Sequence, residues 1–392
     1  MKLYQTAEYI KKMVNIVGGI VVVISLYFYV FPTIQSLLPK EGPPPPPPVK
    51  NFIPRIVFSA DKSLTYDVSK ANLVYLGNPQ TQWSSLATKS LPIYEYFVET
   101  AEDIDFTPTA KDIALEIGYR DLELIDNAQI SNKYVWEKDG LILEIDKITK
   151  RIVQIPEGNS FSPFKSLFTS GNFLNSNSPT VYARSLLTSS RRYSTQDIRN
   201  TIFEVQFIRF EGDSLKETSA TASELAYVKA YTLLNEKKVV AKKYDFPQTY
   251  MYISSLRPEV ESRYQNLRYP HFKVNKTDYN IVFPEDSFEL QPLPEVVNFE
   301  LRENKYVIAD LKISNKDFGY LPPVESSIRN ITIDSYEIGY YDNYDQVVQN
   351  QYIQPIYIFK GSVEMNNGEK GRIVLYTPAV APKYYNKPEG SQ

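Results

Sequence analysis

The sequence predicts an α+β protein: an N-terminal transmembrane helix, then tandem units in which a helix packs on an antiparallel β-sheet. Three observations carry that prediction. A charge-free apolar run opens the chain, a block of prolines follows it, and beyond the prolines short helical patterns precede groups of strands. The 392 residues leave room for two or three domains after an anchor. Hydrophobic residues at 43% and charged residues at 23% mark a mostly globular chain, and 31 tyrosines, many in runs with Ile and Val, favour strands.

Residues 1–12 read as a short cytoplasmic segment and 13–38 as the membrane span. No charged residue lies between Met13 and Pro39, and the apolar core, MVNIVGGIVVVISLYFYVF, would cover about 28 Å as a helix. Tyr27, Phe28, Tyr29 and Phe31 sit at its end, where an aromatic belt meets the interface. A cleaved signal peptide would need a shorter apolar region and an A-x-A-like site, and neither is found. Lys2, Lys11 and Lys12 against Glu8 place the N-terminus inside and the bulk of the chain outside the cytoplasm.

Residues 39–52 form a spacer. Pro43 to Pro48 extend roughly 19 Å as polyproline II, lifting the ectodomain from the bilayer. The same block is also a ligand type for aromatic grooves, a reading its place beside the span makes secondary. Residues 1–50 hold five Lys and two Glu, and the whole chain carries −3, so residues 51–392 carry −6. An acidic ectodomain without a basic run argues against nucleic acid.

Three α+β units follow, over 53–170, 171–285 and 286–376, with an irregular tail at 377–392 that either docks on the sheet or stays mobile. In the first, Thr107 suits an N-cap, Pro108 the first helical position and Gly118 the helix end. Ala110, Ile113, Ala114 and Ile117 make one apolar face. Tyr134–Trp136, Leu141–Ile145 and Arg151–Ile155 read as a three-stranded meander with a tight Asp139-Gly140 turn. Pro108, Pro179 and Pro294 each precede a leucine by seven residues (Leu115, Leu186 and Leu301), a weak internal repeat. Asn367-Gly368 is a further hairpin signal.

The stretch ALEIG through YVWEKDGLILEIDKITKRIV resembles a PepSY-type domain, with Thr149-Lys150 standing where that family has Thr-Gly. The last unit resembles the closing strands of YycI-like extracytoplasmic proteins, through Tyr352, Pro355, Tyr357 and Phe359. The resemblance implies a non-catalytic bacterial membrane protein that binds, restrains or scaffolds another envelope protein. The alternatives are a structural subunit of a secretion, pilus or surface assembly, and an envelope hydrolase with an unfamiliar site.

Little in the sequence points to chemistry. With no Cys and one His, thiol catalysis, disulfides and Cys/His zinc sites are excluded. His271 lacks a nucleophile elbow. Ser59 with Lys62, and Ser162 with Lys165, match S-x-x-K without the S-D-N and K-T-G partners. Glu137 to Asp139 read as a solvated hairpin tip. Asp342, Asn343 and Asp345 are close enough for Ca²⁺ but lack the EF-hand frame, so a polar loop is the plainer reading. Only 15 glycines leave little scope for a phosphate loop. No catalytic, cofactor-binding or metal residue is assigned. Tyr336, Tyr340, Tyr341, Tyr352 and Tyr357 are the candidate aromatic face for a protein partner, against ordinary cross-strand packing on a half-buried sheet.

Overall fold

A computed structural model describes Met13 and residues 52–58, 62–96, 106–125, 132–170, 173, 178–283, 287–323, 325–342 and 352–385. The span at 13–38 and the spacer at 39–52 lie outside the described residues, apart from Met13 and Phe52. Among the described residues no helix is long and apolar enough to cross a membrane. Residues 51–392 form one compact unit.

In chain order the unit begins with β1 (Asn72–Tyr75), α1 (Pro79–Ser85), β2 (Ser90–Leu91) and β3 (Tyr94–Tyr96). Then come α2 (Thr107–Ile117), β4 (Lys133–Lys138), β5 (Leu141–Asp146) and β6 (Ile152–Pro156). The middle holds α3 (Ser178–Ser189), α4 (Thr195–Arg199), β7 (Thr201–Glu211), β8 (Ser214–Glu217), β9 (Leu225–Leu234), β10 (Lys237–Val240) and β11 (Thr249–Ser254). After α5 (Pro258–Arg263) follow β12 (His271–Val274), β13 (Tyr279–Ile281) and β14 (Phe288–Glu289). Last are α6 (Leu293–Glu295, widening to a π turn over Val296–Leu301), β15 (Val307–Ile313), β16 (Ile328–Tyr341), β17 (Tyr352–Met365) and β18 (Lys370–Pro378).

The strands build an α+β architecture dominated by antiparallel pairing. One sheet runs β8-β7-β9-β11-β12-β6-β5-β4, antiparallel throughout. A second runs β15-β18-β17-β16-β1, antiparallel except for the parallel β16–β1 edge. The β9–β10 hairpin turns through Asn235 and Glu236, both at positive φ, and β10 then pairs in parallel with the end of β16. That strand folds the two sheets over each other.

Each sheet has a helical cover on its outer face. Ala110, Ile113, Ala114 and Ile117 of α2 and Ala183, Leu186 and Leu187 of α3 share one core with Trp136, Leu143, Val228, Met251 and Phe272. Leu293, Val296, Val297 and Leu301 of α6 pack on Ile331, Ile333, Phe359, Ile373 and Leu375. Burying these side chains removes apolar area from water at about 25 cal/mol per Å².

Residues 107–156 form the expected helix and meander. Gly118 ends α2 at φ 110, donating its N–H to Ala114 and Leu115. Asp139 and Gly140, at φ 52 and 73, make the tight β4–β5 turn. Lys150 holds φ 56 in the β5–β6 turn, with Nζ donating to the Lys147 carbonyl at 2.6 Å. Three details differ. Phe106, not Thr107, is the N-cap, because the Thr107 hydroxyl is engaged with Tyr134 at 2.8 Å. The proline-aligned leucines are not equivalent: Leu115 is 63% exposed, whereas Leu186 and Leu301 are buried. The three units also do not stack as separate modules. The first meander would leave an open edge at β6, and β12 of the second unit covers it. Residues 72–75 and 94–96, placed in the first unit by sequence, pair instead with β16 and β17.

The tail docks as far as Tyr385. Val380 bridges Leu290, and Tyr384 accepts from the Ile53 N–H at 3.0 Å. Residues 386–392 lie outside the described residues.

Candidate functional site: a charged groove between the two sheets

Period-two alternation gives β9 two different faces. Ala226 and Val228 point into the helix-covered core, while Leu225, Tyr227, Lys229 and Tyr231 lie on the opposite face, on which Tyr231 packs with Ala309, Tyr341 and Tyr376 of the second sheet. Lys229 is therefore a cation in the middle of an apolar strand, its side chain 4% exposed. Three side chains on this face hold the same loop. The Tyr227 hydroxyl donates to the Asp245 carbonyl at 2.8 Å, and the Tyr231 hydroxyl to the Tyr244 carbonyl at 2.9 Å. Between them Lys229 Nζ lies 2.8 Å from Asp245 Oδ1 and 3.2 Å from Glu204 Oε2.

The second sheet supplies the opposite wall. A bulge in β15 between Ile308 and Asp310 shifts the register against β18. Such a bulge places consecutive residues on one side: Ala309 joins the inter-sheet core, and Asp310 and Lys312 line the groove. Lys312 pairs with Asp245 Oδ2 and lies 3.5 Å from Glu217. Lys238 reaches Glu204 at 2.5 Å, and Lys360 reaches Glu337 at 2.9 Å. Tyr244 donates to Glu337 at 3.0 Å and lies under Lys360, 4.8 Å from its ring centroid.

Electrostatics separates the carboxylates. Burial would raise Asp245, but Lys229 and Lys312 outweigh it and hold the carboxyl below its ordinary value. Glu204 is lowered likewise, against burial, by Lys229 and Lys238. Burial opposes the charge of Lys229 as well, and Asp245 and Glu204 override it, raising the amine. Asp310 goes the other way. Burial first, then the charge of Asp245, push it up to about 7, with Lys312 and Lys229 opposing only in part. Two neighbouring acids of opposite tendency are the arrangement that acid–base chemistry uses, and structural ion networks produce it too.

Three adjoining depressions continue the site along the second sheet. The first, about 540 Å³, holds the network just described. The second, about 460 Å³, shares Gln206, Lys312 and Arg372 with it and is bordered by residues 313–320. The third, about 420 Å³, shares Ser362 with the first and Ser314 with the second, and ends at Asn72 and Val74 on the edge strand. The result is a long polar groove floored by strands.

The residues singled out by sequence lie elsewhere. Tyr340, Tyr341 and Tyr357 are buried, so the exposed aromatic face is corrected to core packing. Strand alternation splits them: Tyr340 and Tyr357, with half-buried Tyr336, face the α6 side, while Tyr341 packs between the sheets against Phe58 and Tyr376. Around Tyr340, Tyr341 and Tyr357 both faces of β16 and β17 are covered, which leaves no exposed face for a tyrosine stripe. Tyr352 is half-buried beside Ile53, Phe288 and Val380.

Asp342 is buried and accepts from Tyr279 at 2.7 Å and from Tyr96 and Gln248. It ties β3 and β13 to the end of β16. Asn343 and Asp345 lie outside the described residues, and among the described residues no group of three His, Cys, Asp or Glu is placed to hold a metal.

His271 stacks on Tyr252 at 5.4 Å with Nε2 3.2 Å from the Tyr250 hydroxyl, and burial lowers it to about 4. Ser59 lies outside the described residues; Lys165 is used on the Gly212 carbonyl. Glu137 is exposed, next to the β4–β5 turn.

Sequence reading missed Glu204, Lys229, Asp245, Asp310 and Lys312. The available signal was one charge inside the apolar strand AYVKAYTLL and two inside YVIADLKI, since such charges are rarely buried without partners. Set beside protein-family models, curated proteins and solved structures, the chain matches none of them.

Proposed function

We propose that this is a non-catalytic, single-pass bacterial membrane protein whose PepSY-like ectodomain, outside the cytoplasm, binds, restrains or scaffolds another envelope protein. The charge-free run at 13–38 and the lysines before it support the anchor and its orientation. One observation carries the binding reading: the open groove along the second sheet is long, polar and strand-floored, a shape suited to an extended segment rather than to a compact ligand. Crosslinking and affinity purification of the full chain from native membranes tests it. A stoichiometric envelope protein crosslinked at Ser314, Ser362 or Asn72 is expected. A partner-free protein, or crosslinks only at the helical faces, would count against the groove. A structural subunit of a larger assembly would instead elute far above monomer mass in mild detergent.

A second reading, an envelope hydrolase, is favoured by one specific observation: Asp310, pushed up to about 7, stands near ionised Asp245 in the same cleft. Turnover of cell-wall fragments or peptides that Asp310→Asn abolishes would move the assignment to an enzyme. Absence of turnover by the wild-type chain would remove that reading.

A further inference from the structure

The register of the second sheet places the groove floor in rows. Lys312 lies opposite Arg372, Arg372 opposite Ser362, Ser362 opposite Thr332, and Thr332 opposite Val74. In the next row Lys370 lies opposite Glu364, Glu364 opposite Asn330, and Asn330 opposite Asn72. Hydroxyl and amide groups occupy four of these nine positions and charged groups another four, and the charges are not equally engaged. Lys312 is held by Asp245 and Glu217. Glu364 accepts from Asn330 at 2.7 Å and lies 3.8 Å from Arg329. Arg372 and Lys370 are exposed and make no ion pair among the described residues. Cross-strand like charges repel, so Arg372 opposite Lys312 is a cost that a bound anion would relieve.

Arg372 and Lys370 are two residues apart on one strand, hence on one face and about 7 Å apart along it. An extended peptide repeats its same-side side chains at that spacing. Arg372 presents a fork that pairs bidentately with a carboxylate, and Lys370 adds a point charge. We infer that the groove takes an extended acidic peptide segment of its partner, with carboxylates at alternate positions over Arg372 and Lys370. The inference rests on the groove being the binding surface, and it specifies the chemistry of what lies there.

The test is fluorescence anisotropy with the full-length chain in mild detergent. Labelled peptides carrying Glu at every second position are compared with peptides of the same composition whose Glu residues are in one block, and with heparin fragments as a polyanionic glycan. Saturable binding of the alternating peptide is expected, weakened about tenfold by Arg372→Gln and further by Lys370→Gln. That binding should fall as salt rises.

Equal binding of the block peptide, preference for the glycan, or unchanged affinity in both variants would overturn the inference. A partner crosslinked in the groove of wild-type protein, together with no binding of acidic peptides, would overturn this inference and leave the groove reading standing. Crosslinks elsewhere would remove both.

Discussion

The space between the two sheets has two unlike ends. At one, Tyr231, Tyr341 and Tyr376 close on Phe58, Val240, Ile356 and Ile358. At the other, a few residues along the same strands, Lys229, Lys312 and Lys360 face Glu204, Asp245 and Asp310. The apolar end is stabilised by burial, which is non-directional and tolerates small shifts. The ionic end is favourable only while each charge keeps its partner, because removing one member leaves another uncompensated in a poorly solvated place. The first end holds the sheets together; the second sets how they align and how that alignment responds to pH.

The largest expected effect belongs to the apolar end. Tyr376→Ala empties a fully buried site and strands the Ala241 carbonyl that its hydroxyl meets at 3.2 Å. Urea unfolding is expected to show a loss of about 4 kcal/mol. A loss under about 1 kcal/mol would mean that this end does not bear the packing assigned to it.

Lys229→Met comes next, at about 3 kcal/mol, since Asp245 keeps Lys312 and Glu204 keeps Lys238 but both lose their shared cation. Combining it with Asp245→Leu should recover part of that loss. Strict additivity of the two changes would sink the idea of a coupled network.

Asp310→Asn is expected to stabilise the protein, with a pH dependence fixed by sign. The Asp310 carboxyl is raised on folding from 3.8 to about 7, so its contribution is fully present below 3.8 and lost as pH climbs through about 7. Asn removes that loss. The gain should be about 2 kcal/mol at pH 8 and near zero at pH 4, read from melting curves at both values. Asp245 and Glu204 are lowered on folding, so their contribution is present at neutral pH and lost as acid protonates them. Together they put the network's greatest contribution in mildly acid solution. A gain from Asp310→Asn that does not vary with pH would contradict the assignment.

The smallest effect is at the open floor. Arg372→Gln should change stability by less than about 0.5 kcal/mol, because the side chain is exposed and its charge is unshared. A large loss there would show that Arg372 belongs to the network after all.

Local features were legible in the sequence because the forces behind them act over a few residues. The α2 apolar face, the Gly118 helix end and the Asp139-Gly140 turn depend on neighbours within one turn or one hairpin. Lys150 adopts the positive φ even without Gly, since the meander around it imposes the turn. The hairpin of β17 and β18 was likewise signalled by Asn367-Gly368, with Gly368 at φ 85.

The tyrosines show where local reading stops. Alternation along β16 and β17 is visible in the sequence, but alternation says only that a strand has two faces. That both are covered at Tyr340, Tyr341 and Tyr357, one by α6 and one by the other sheet, is decided by contacts between residues far apart in the chain.

The groove is further still from local reading. Lys229, Asp245, Asp310 and Lys312 come from three separate stretches, and a bulge of one residue in β15 decides that Asp310 faces inward with Lys312. Composition and short-range pattern by themselves determined the charge-free run, the proline block, the α+β class and the first helix-and-meander unit. Tertiary structure alone decided which edges join, which faces are buried and which charges meet, because pairing register and sheet stacking are set by long-range burial that no short stretch encodes.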